Sequence, residues 1–244
     1  VRSLRDTTHA LDLGLADIRQ QFGVPAAFPS EVLAAAAAAA RRSPSEHVDR
    51  TDWAFVTLDP ESSTDLDQAF TMEMSGTDVL LHYAIADVAW FVSDGDVVDA
   101  EAWRRGTTIY LPDGKAGLYP PVLAEGAASL LPDGPRPAVV FHVRVDGDGN
   151  ARLDGAERAI VRSTAKLAYD HVQPADLPPM FEEFARRIDA WEAARGATAV
   201  DPPEQVVERN THGYRLAFRP RLVSEAQNSA MSLATNIAVG SALL

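Results

Sequence analysis

The stretch Thr57-Leu58-Asp59-Pro60-Glu61-Ser62-Ser63-Thr64-Asp65-Leu66-Asp67-Gln68-Ala69-Phe70 sets carboxylates between two apolar runs. Trp53 to Leu58 on one side and Ala69 to Met74 on the other have the length and the aromatic or β-branched content of strands. Asp59 closes the first run, where Pro60 lacks the amide N–H that a further ladder bond needs. Asp65 and Asp67 are two apart, so in extended backbone their side chains point the same way. Like charges so placed repel unless a cation holds them together. Hard divalent ions such as Mg²⁺ take carboxylate oxygens together with substrate phosphates, and a pair of them can activate water and stabilise a leaving oxygen. An acidic turn rich in Ser, Thr and Asp is also what a solvated loop looks like. A calcium EF-hand loop begun at Asp59 fails on spacing, because Thr64 would stand where glycine is needed and Phe70 where the bidentate glutamate belongs.

Outward from this segment the strand texture continues. Val79 to Ile85 reads as a third strand, reached through the turn Ser75-Gly76-Thr77-Asp78, and Val97 to Arg105 as a helix. Pro137 to Asp146 and Ala151 to Ser163 form a hairpin, since Gly147-Asp148-Gly149-Asn150 supplies residues that tolerate positive φ. Thr164 to His171 is expected to open a helix. Met180 to Arg195 is an amphipathic helix with Phe181, Phe184, Ile188 and Trp191 on one face. Gln205 to Glu208 and Tyr214 to Phe218 pair through Asn210-Thr211-His212-Gly213, and a closing helix spans Val223 to Leu244. Residues 1–50 look helical: Leu4, Leu11, Leu13, Leu15, Ile18 and Phe22 keep helical spacing up to a stop at Gly23-Val24-Pro25. Ser30 then caps an alanine-rich helix through Ala40, with Arg41 and Arg42 at its negative end.

Composition narrows the class. At 46% hydrophobic and 23% charged residues the chain is globular, which excludes disorder and collagen-like structure. The absence of cysteine excludes disulfides, thiolate metal sites and a cysteine nucleophile. The apolar runs Val79 to Ala86 and Ala34 to Ala40 stop well short of the roughly 20 residues of a membrane span. Val1 to Asp17 lacks the unbroken apolar core of a signal peptide, so a cytoplasmic home is expected. The net charge of −13 opposes nucleic-acid binding if spread evenly, because phosphate affinity comes from Lys and Arg. Carboxylates gathered around cations, or a basic surface outside this chain, would reconcile the two. No glycine-rich phosphate loop of Walker or dinucleotide type is present.

Several separated pieces stand in an order that carries a resemblance. They are the aspartate segment, His82-Tyr83-Ala84-Ile85-Ala86-Asp87-Val88, Thr108-Ile109-Tyr110-Leu111-Pro112, Tyr119-Pro120-Pro121-Val122-Leu123, Ser129-Leu130-Leu131-Pro132 and Lys166-Leu167-Ala168-Tyr169-Asp170. Together they resemble the catalytic domain of the ribonuclease II family, which includes ribonuclease R and the eukaryotic exosome nuclease. Asn228 to Leu244 resembles a later helix of the same domain.

The resemblance implies a site in which four aspartates hold Mg²⁺, or Mn²⁺, at the scissile phosphate. Asp59, Asp65 and Asp67 match the first three, and the fourth position is Gln68, whose amide oxygen can coordinate but brings no charge. Tyr110 matches the aromatic that holds 3′-terminal bases, and Tyr169 a second clamping tyrosine. Each also reads as a half-buried tyrosine with a bonded hydroxyl, just as Gln68 also reads as a structural hydrogen-bonding residue. Asp87, at the end of an apolar strand, reads as a structural acceptor, and His82 and His142 as strand histidines without metal-ligand spacing.

The expected fold is α+β, a mostly antiparallel twisted sheet with flanking helices. Residues 1–50 would form a helical extension and residues 51–244 the front portion of the catalytic domain. The implied activity is 3′→5′ hydrolysis of single-stranded RNA to nucleoside 5′-monophosphates. The alternative is an RNA-binding homologue with weakened or lost turnover. Family members begin with oligonucleotide-binding barrels and continue to an arginine-rich segment and a further barrel; none of these is visible here, so the chain is expected to be a fragment or a reduced homologue.

Overall fold

A computed structural model describes residues 10–197, 204–210 and 213–244. In chain order the elements begin α1 (Ala10–Gln21), α2 (Ser30–Ala39), β1 (Val48–Asp59), β2 (Gln68–Ser75), β3 (Asp78–Ala86), α3 (Val88–Phe91) and α4 (Val97–Arg105). β4 (Ile109–Leu111) and β5 (Gly114–Ala116) precede a π-helical turn, Leu123–Ala127, and then β6 (Arg136–Val145) and β7 (Ala151–Ala168). A 3₁₀ turn, Pro174–Asp176, leads to α5 (Phe181–Ala194), β8 (Glu204–Asn210), β9 (Gly213–Arg219) and α6 (Val223–Leu243). The described residues belong to two compact units, one of Val1–Ala39, Val92–Pro121 and Asp201–Arg221, the other of Ala40–Phe91, Val122–Val200 and Leu222–Leu244.

The second unit is built on a closed barrel of five strands in the order β1-β2-β3-β6-β7. Neighbours pair antiparallel around it, except that β7 lies parallel to β1 and closes the ring. This corrects two expectations. Val48 to Arg50, read as helical, begin β1, and Thr164 to Ala168, read as the opening of a helix, continue β7, paired from Phe55↔Ser163 to Asp59↔Ala168. Partners on β1 override the local helix preference of Ala165, Lys166, Leu167 and Ala168.

Alternation along the strands makes two cores. Val79, Leu81 and Tyr83 of β3 join Phe70, Met72, Val143 and Val145 against Phe181, Phe184 and Ile188 of α5 and Met231 and Ala234 of α6. Phe70 and Phe181 stack at 5.3 Å. Ala84 joins a second cluster with Phe55, Ala69, Ala138, Val140, Ala159 and Val161, one or two from each strand, and with Leu130 from the loop before β6. Ala230, Ala234 and Ala238 recur every four residues and give α6 a narrow buried stripe. At the β6–β7 turn Gly149 is essential in type: its φ is +83°, and a Cβ there would lie 2.3 Å from the carbonyl oxygen of Arg187 on α5.

In the first unit, Arg105 of α4 binds Glu101 at 2.7 Å and the carbonyl of Ala27 at 2.7 Å, and its guanidinium covers the Phe28 ring. Arg19 of α1 grips Asp113 through both carboxylate oxygens at 2.7 and 2.8 Å. β8 and β9 pair as expected, while Thr211 and His212 of the expected turn lie outside the described residues. Among the described residues no helix is long and apolar enough to cross a membrane.

Candidate active site

The segment between β1 and β2 has no regular structure, yet nearly every carbonyl in it is bonded. Asp59 O accepts from Tyr169 N at 3.2 Å, Pro60 O from Ser63 N at 3.0 Å, Leu66 O from Leu130 N at 2.8 Å and Asp67 O from Ala86 N at 2.9 Å. Lys166 Nζ donates to the carbonyls of Glu61 and Ser63 at 2.7 and 2.6 Å. Buried Ser129 donates to Thr64 O at 2.8 Å and accepts from Leu66 N at 2.9 Å. Three of the separated motif pieces, those holding Ala86, Ser129 with Leu130, and Lys166 with Tyr169, therefore meet around this one loop. Most of its backbone carbonyls are thus satisfied, several of them by groups from outside the loop.

Leu66 is fully buried, which turns Asp65 and Asp67 away from the core, as the two-residue spacing requires. Asp59 has its Oδ2 buried and without a hydrogen-bond partner among the described residues. Loss of hydration, then the charges of Asp67 and Asp65, push the Asp59 carboxyl up to about 6, against a smaller opposing pull from Lys166. Asp67 is also raised, by burial first and by Asp65. A buried acceptor with no donor beside two further carboxylates is a donor set that fits a hard divalent cation. Among the described residues no three His, Asp or Glu side chains already stand close enough to enclose an ion. Mg²⁺ does not demand such a cage, since it keeps several waters and takes one or two carboxylates plus substrate phosphates.

Gln68, Tyr83 and Tyr169 flank the carboxylates. The Tyr83 hydroxyl donates to Gln68 Oε1, the very atom that coordination would use. The Tyr83 phenol is driven upward by burial and then by Asp67, and Tyr169 by burial and then by Asp59, which places both rings within the field of the aspartates. Tyr169 is half-buried against the helix-packed core, and its hydroxyl accepts from Asn228 Nδ2 of α6 at 2.8 Å. It thus has the bonded hydroxyl of the structural reading, in a position beside Asp59. The Oδ1 of Asn228 is buried and has no hydrogen-bond partner among the described residues.

Tyr110 belongs to the other unit, on β4 opposite Lys115, with 72% of its surface exposed. Asp87 is structural as expected: it accepts from His47 Nε2 at 3.0 Å, Arg158 Nε at 3.0 Å and Trp90 N at 3.2 Å. His82 and His142 face each other across β3 and β6, Nδ1 to Nδ1 at 2.8 Å, with Trp53 against His82. Sixty residues of separation hid that pair. Lys166, Ser129 and Tyr83 were also missed as site residues, although each stands inside a quoted motif piece.

Comparison with known proteins follows the same lines. An uncharacterized ribonuclease of Synechocystis is 30% identical over 201 residues, covering 76% of this chain and 30% of that protein. A protein of Arabidopsis thaliana named inactive exonuclease DIS3L2 is 37% identical over 137 residues, covering 53% of this chain and 13% of that one. The chain thus spans less than a third of either relative's length. The structure of Mycoplasma genitalium RNase R in complex with ribose methylated single-stranded RNA superposes with a TM-score of 0.86 at 23% identity, over 95% of this chain and 39% of that one, which shows a shared fold. The model of the RNB domain matches residues 47–243, and the chain belongs to the RNB-domain family.

Proposed function

We propose that residues 51–244 carry the front portion of a metal-dependent exoribonuclease domain that shortens single-stranded RNA from its 3′ end and releases nucleoside 5′-monophosphates, in a cytoplasmic setting. The observation that carries this reading is the unpartnered, buried Oδ2 of Asp59 in the company of Asp65 and Asp67. Asp59, Asp65 and Asp67 would hold Mg²⁺ or Mn²⁺. The bound ion would supply charge neutralisation at the scissile phosphate and a lowered pKa for the attacking water. Lys166 and Ser129 keep the loop of these ligands in one geometry before substrate arrives, which spares reorganisation during the reaction. Tyr169, with its hydroxyl tied to Asn228, offers a fixed ring beside the carboxylates, and exposed Tyr110 offers a π-face that any base can stack on. Water adds to phosphorus and the bond to the 3′ oxygen breaks, that oxygen leaving with a proton.

A second reading is favoured by one observation, the amide at position 68 with its oxygen already engaged by Tyr83. The same fold would then bind RNA without turnover; the Arabidopsis relative is likewise named an inactive exonuclease. A 5′-labelled single-stranded RNA mixed with the protein and Mg²⁺ separates the two. A ladder shortening from the 3′ end, lost with Asp67→Asn, supports the exoribonuclease; a mobility shift without cleavage supports the binder; cleavage that survives Asp67→Asn in a folded protein overturns the site.

A further inference from the structure

Gln68 has an orientation that its place in the motif does not reveal. Its Oε1 accepts from the hydroxyl of Tyr83, a ring only 3% exposed. On the other side of that phenol stands the Ser232 hydroxyl of α6, whose oxygen accepts from Asn236 Nδ2 at 3.4 Å. A serine that accepts from an amide is free to turn its own proton to Tyr83, and a phenol that accepts from serine gives its single proton onward. The single proton of the phenol goes to Gln68 and ends on the amide oxygen. What Gln68 has left is Nε2 with its two N–H groups, which bond to none of the described residues.

The surroundings say what such a donor is for. Gln68 is half-buried, next in sequence to Asp67, and its partner phenol lies in the field of Asp67 and Asp59. The carboxylates of Asp59, Asp65 and Asp67 are acceptors when ionised. Two of the three N–H donors of the Lys166 ammonium are engaged by the carbonyls of Glu61 and Ser63. An RNA strand entering here presents phosphate and ribose oxygens, which an amide N–H is able to meet.

We propose that Gln68 is a hydrogen-bond donor to a phosphate or ribose oxygen of the RNA and not a metal ligand, with Tyr83 as the positioning residue that keeps the amide turned that way. This rests on the RNA-binding reading of the site. It also separates position 68 from the charge bookkeeping of the other three: glutamine here is a change of role, from holding a cation to holding the strand.

The test uses the full chain and two measurements. Affinity for a fluorescent single-stranded RNA is measured in EDTA, and Mg²⁺ affinity by calorimetry without RNA, for wild type, Gln68→Met, Gln68→Glu, Tyr83→Phe and the Gln68→Met/Tyr83→Phe pair. Gln68→Met should weaken RNA binding roughly tenfold, the worth of one hydrogen bond to a charged group, and leave Mg²⁺ affinity unchanged. Gln68→Glu still accepts from Tyr83 but presents an anion, so it should bind RNA more weakly than Gln68→Met. The double variant should be no weaker than Gln68→Met alone, because Tyr83 acts only through the amide. Weaker Mg²⁺ binding with unchanged RNA affinity in Gln68→Met would return Gln68 to the ligand set. Equal RNA affinity for Gln and Met at position 68 overturns the inference alone, whereas a wild type that binds no RNA overturns the functional reading with it. If Tyr83→Phe fails to fold, the two single Gln68 variants against wild type decide the donor role by themselves.

Discussion

Replacing Asp59 by asparagine should make the metal-free protein more stable and the metal-loaded protein less so. In the absence of a cation the Asp59 Oδ2 is buried with no donor among the described residues, and the charges of Asp67 and Asp65 act on it. An unsatisfied buried polar atom costs about 1–3 kcal/mol, more when charged. Asparagine keeps the size and the unmet oxygen but removes the charge and its repulsion, so a gain of about 1–2 kcal/mol is expected in EDTA at pH 7.5. For a chain of this size that raises the melting temperature by about 3–6 °C. Saturating Mg²⁺ reverses the order. At a hundred times its dissociation constant a ligand that binds only the folded state adds about 2.7 kcal/mol, and Asp59→Asn forfeits most of it. Thermal unfolding of both proteins, with EDTA and with a Mg²⁺ series, reads the crossing directly. A variant that melts below wild type in EDTA would show that the carboxylate makes net favourable contacts and is not a ligand awaiting a cation. Equal stabilisation of both proteins by Mg²⁺ would refute the site.

Lys166→Met removes the donor to two loop carbonyls while keeping the stem, and should lower the melting temperature by about 2–4 °C, near 1 kcal/mol, because the ammonium is only half-buried. Calorimetry should show weaker Mg²⁺ binding in the same variant, and unchanged values in both measurements would mean that the loop needs no clamp. Tyr110→Ala should lengthen the oligonucleotide left at the end of digestion without stopping hydrolysis, since a stacking platform contributes roughly 1–3 kcal/mol per base to grip and nothing to water activation; gel analysis of end products returns Tyr110 to a structural role if the remnant is unchanged. Gly149→Ala meets both a positive φ and a carbonyl oxygen at 2.3 Å, so denaturant unfolding should show a loss of about 2 kcal/mol or more. Wild-type stability in that variant would mean that the β6–β7 turn is not seated on α5.

The parts of the fold that could be read from sequence are those set by near neighbours. β2, β3 and α4 follow from short alternating or helical patterns and the turns between them, and their observed limits fall within a residue of the expected ones. The closure of the barrel could not be read this way. β1 meets β7 in parallel, pairing Val48 with Ala159 and Asp59 with Ala168, and nothing in either strand announces a partner some hundred residues away. The error at Thr164 to Ala168 has the same origin: alanine, lysine and leucine favour a helix until a strand already in place offers them ladder bonds.

The candidate site divides along a similar line. Asp59, Asp65 and Asp67 were accessible because a proline end-stop and an alternation around Leu66 are local facts, and burial of Leu66 turns its neighbours outward. The identity of Gln68 was equally plain, yet its role was not, because the role depends on which end of the amide is occupied. That is decided by Tyr83, fifteen residues on, and by Ser232 on a helix more than a hundred and sixty residues away. Lys166 shows the same logic with opposite sign. A lysine beside acidic residues reads as a charge partner, but two of its ammonium donors go to backbone carbonyls, and its charge is the smallest of the influences on Asp59. A motif therefore specifies which atoms are brought together, while the hydrogen-bond partners behind them specify which of those atoms are still available to react or bind.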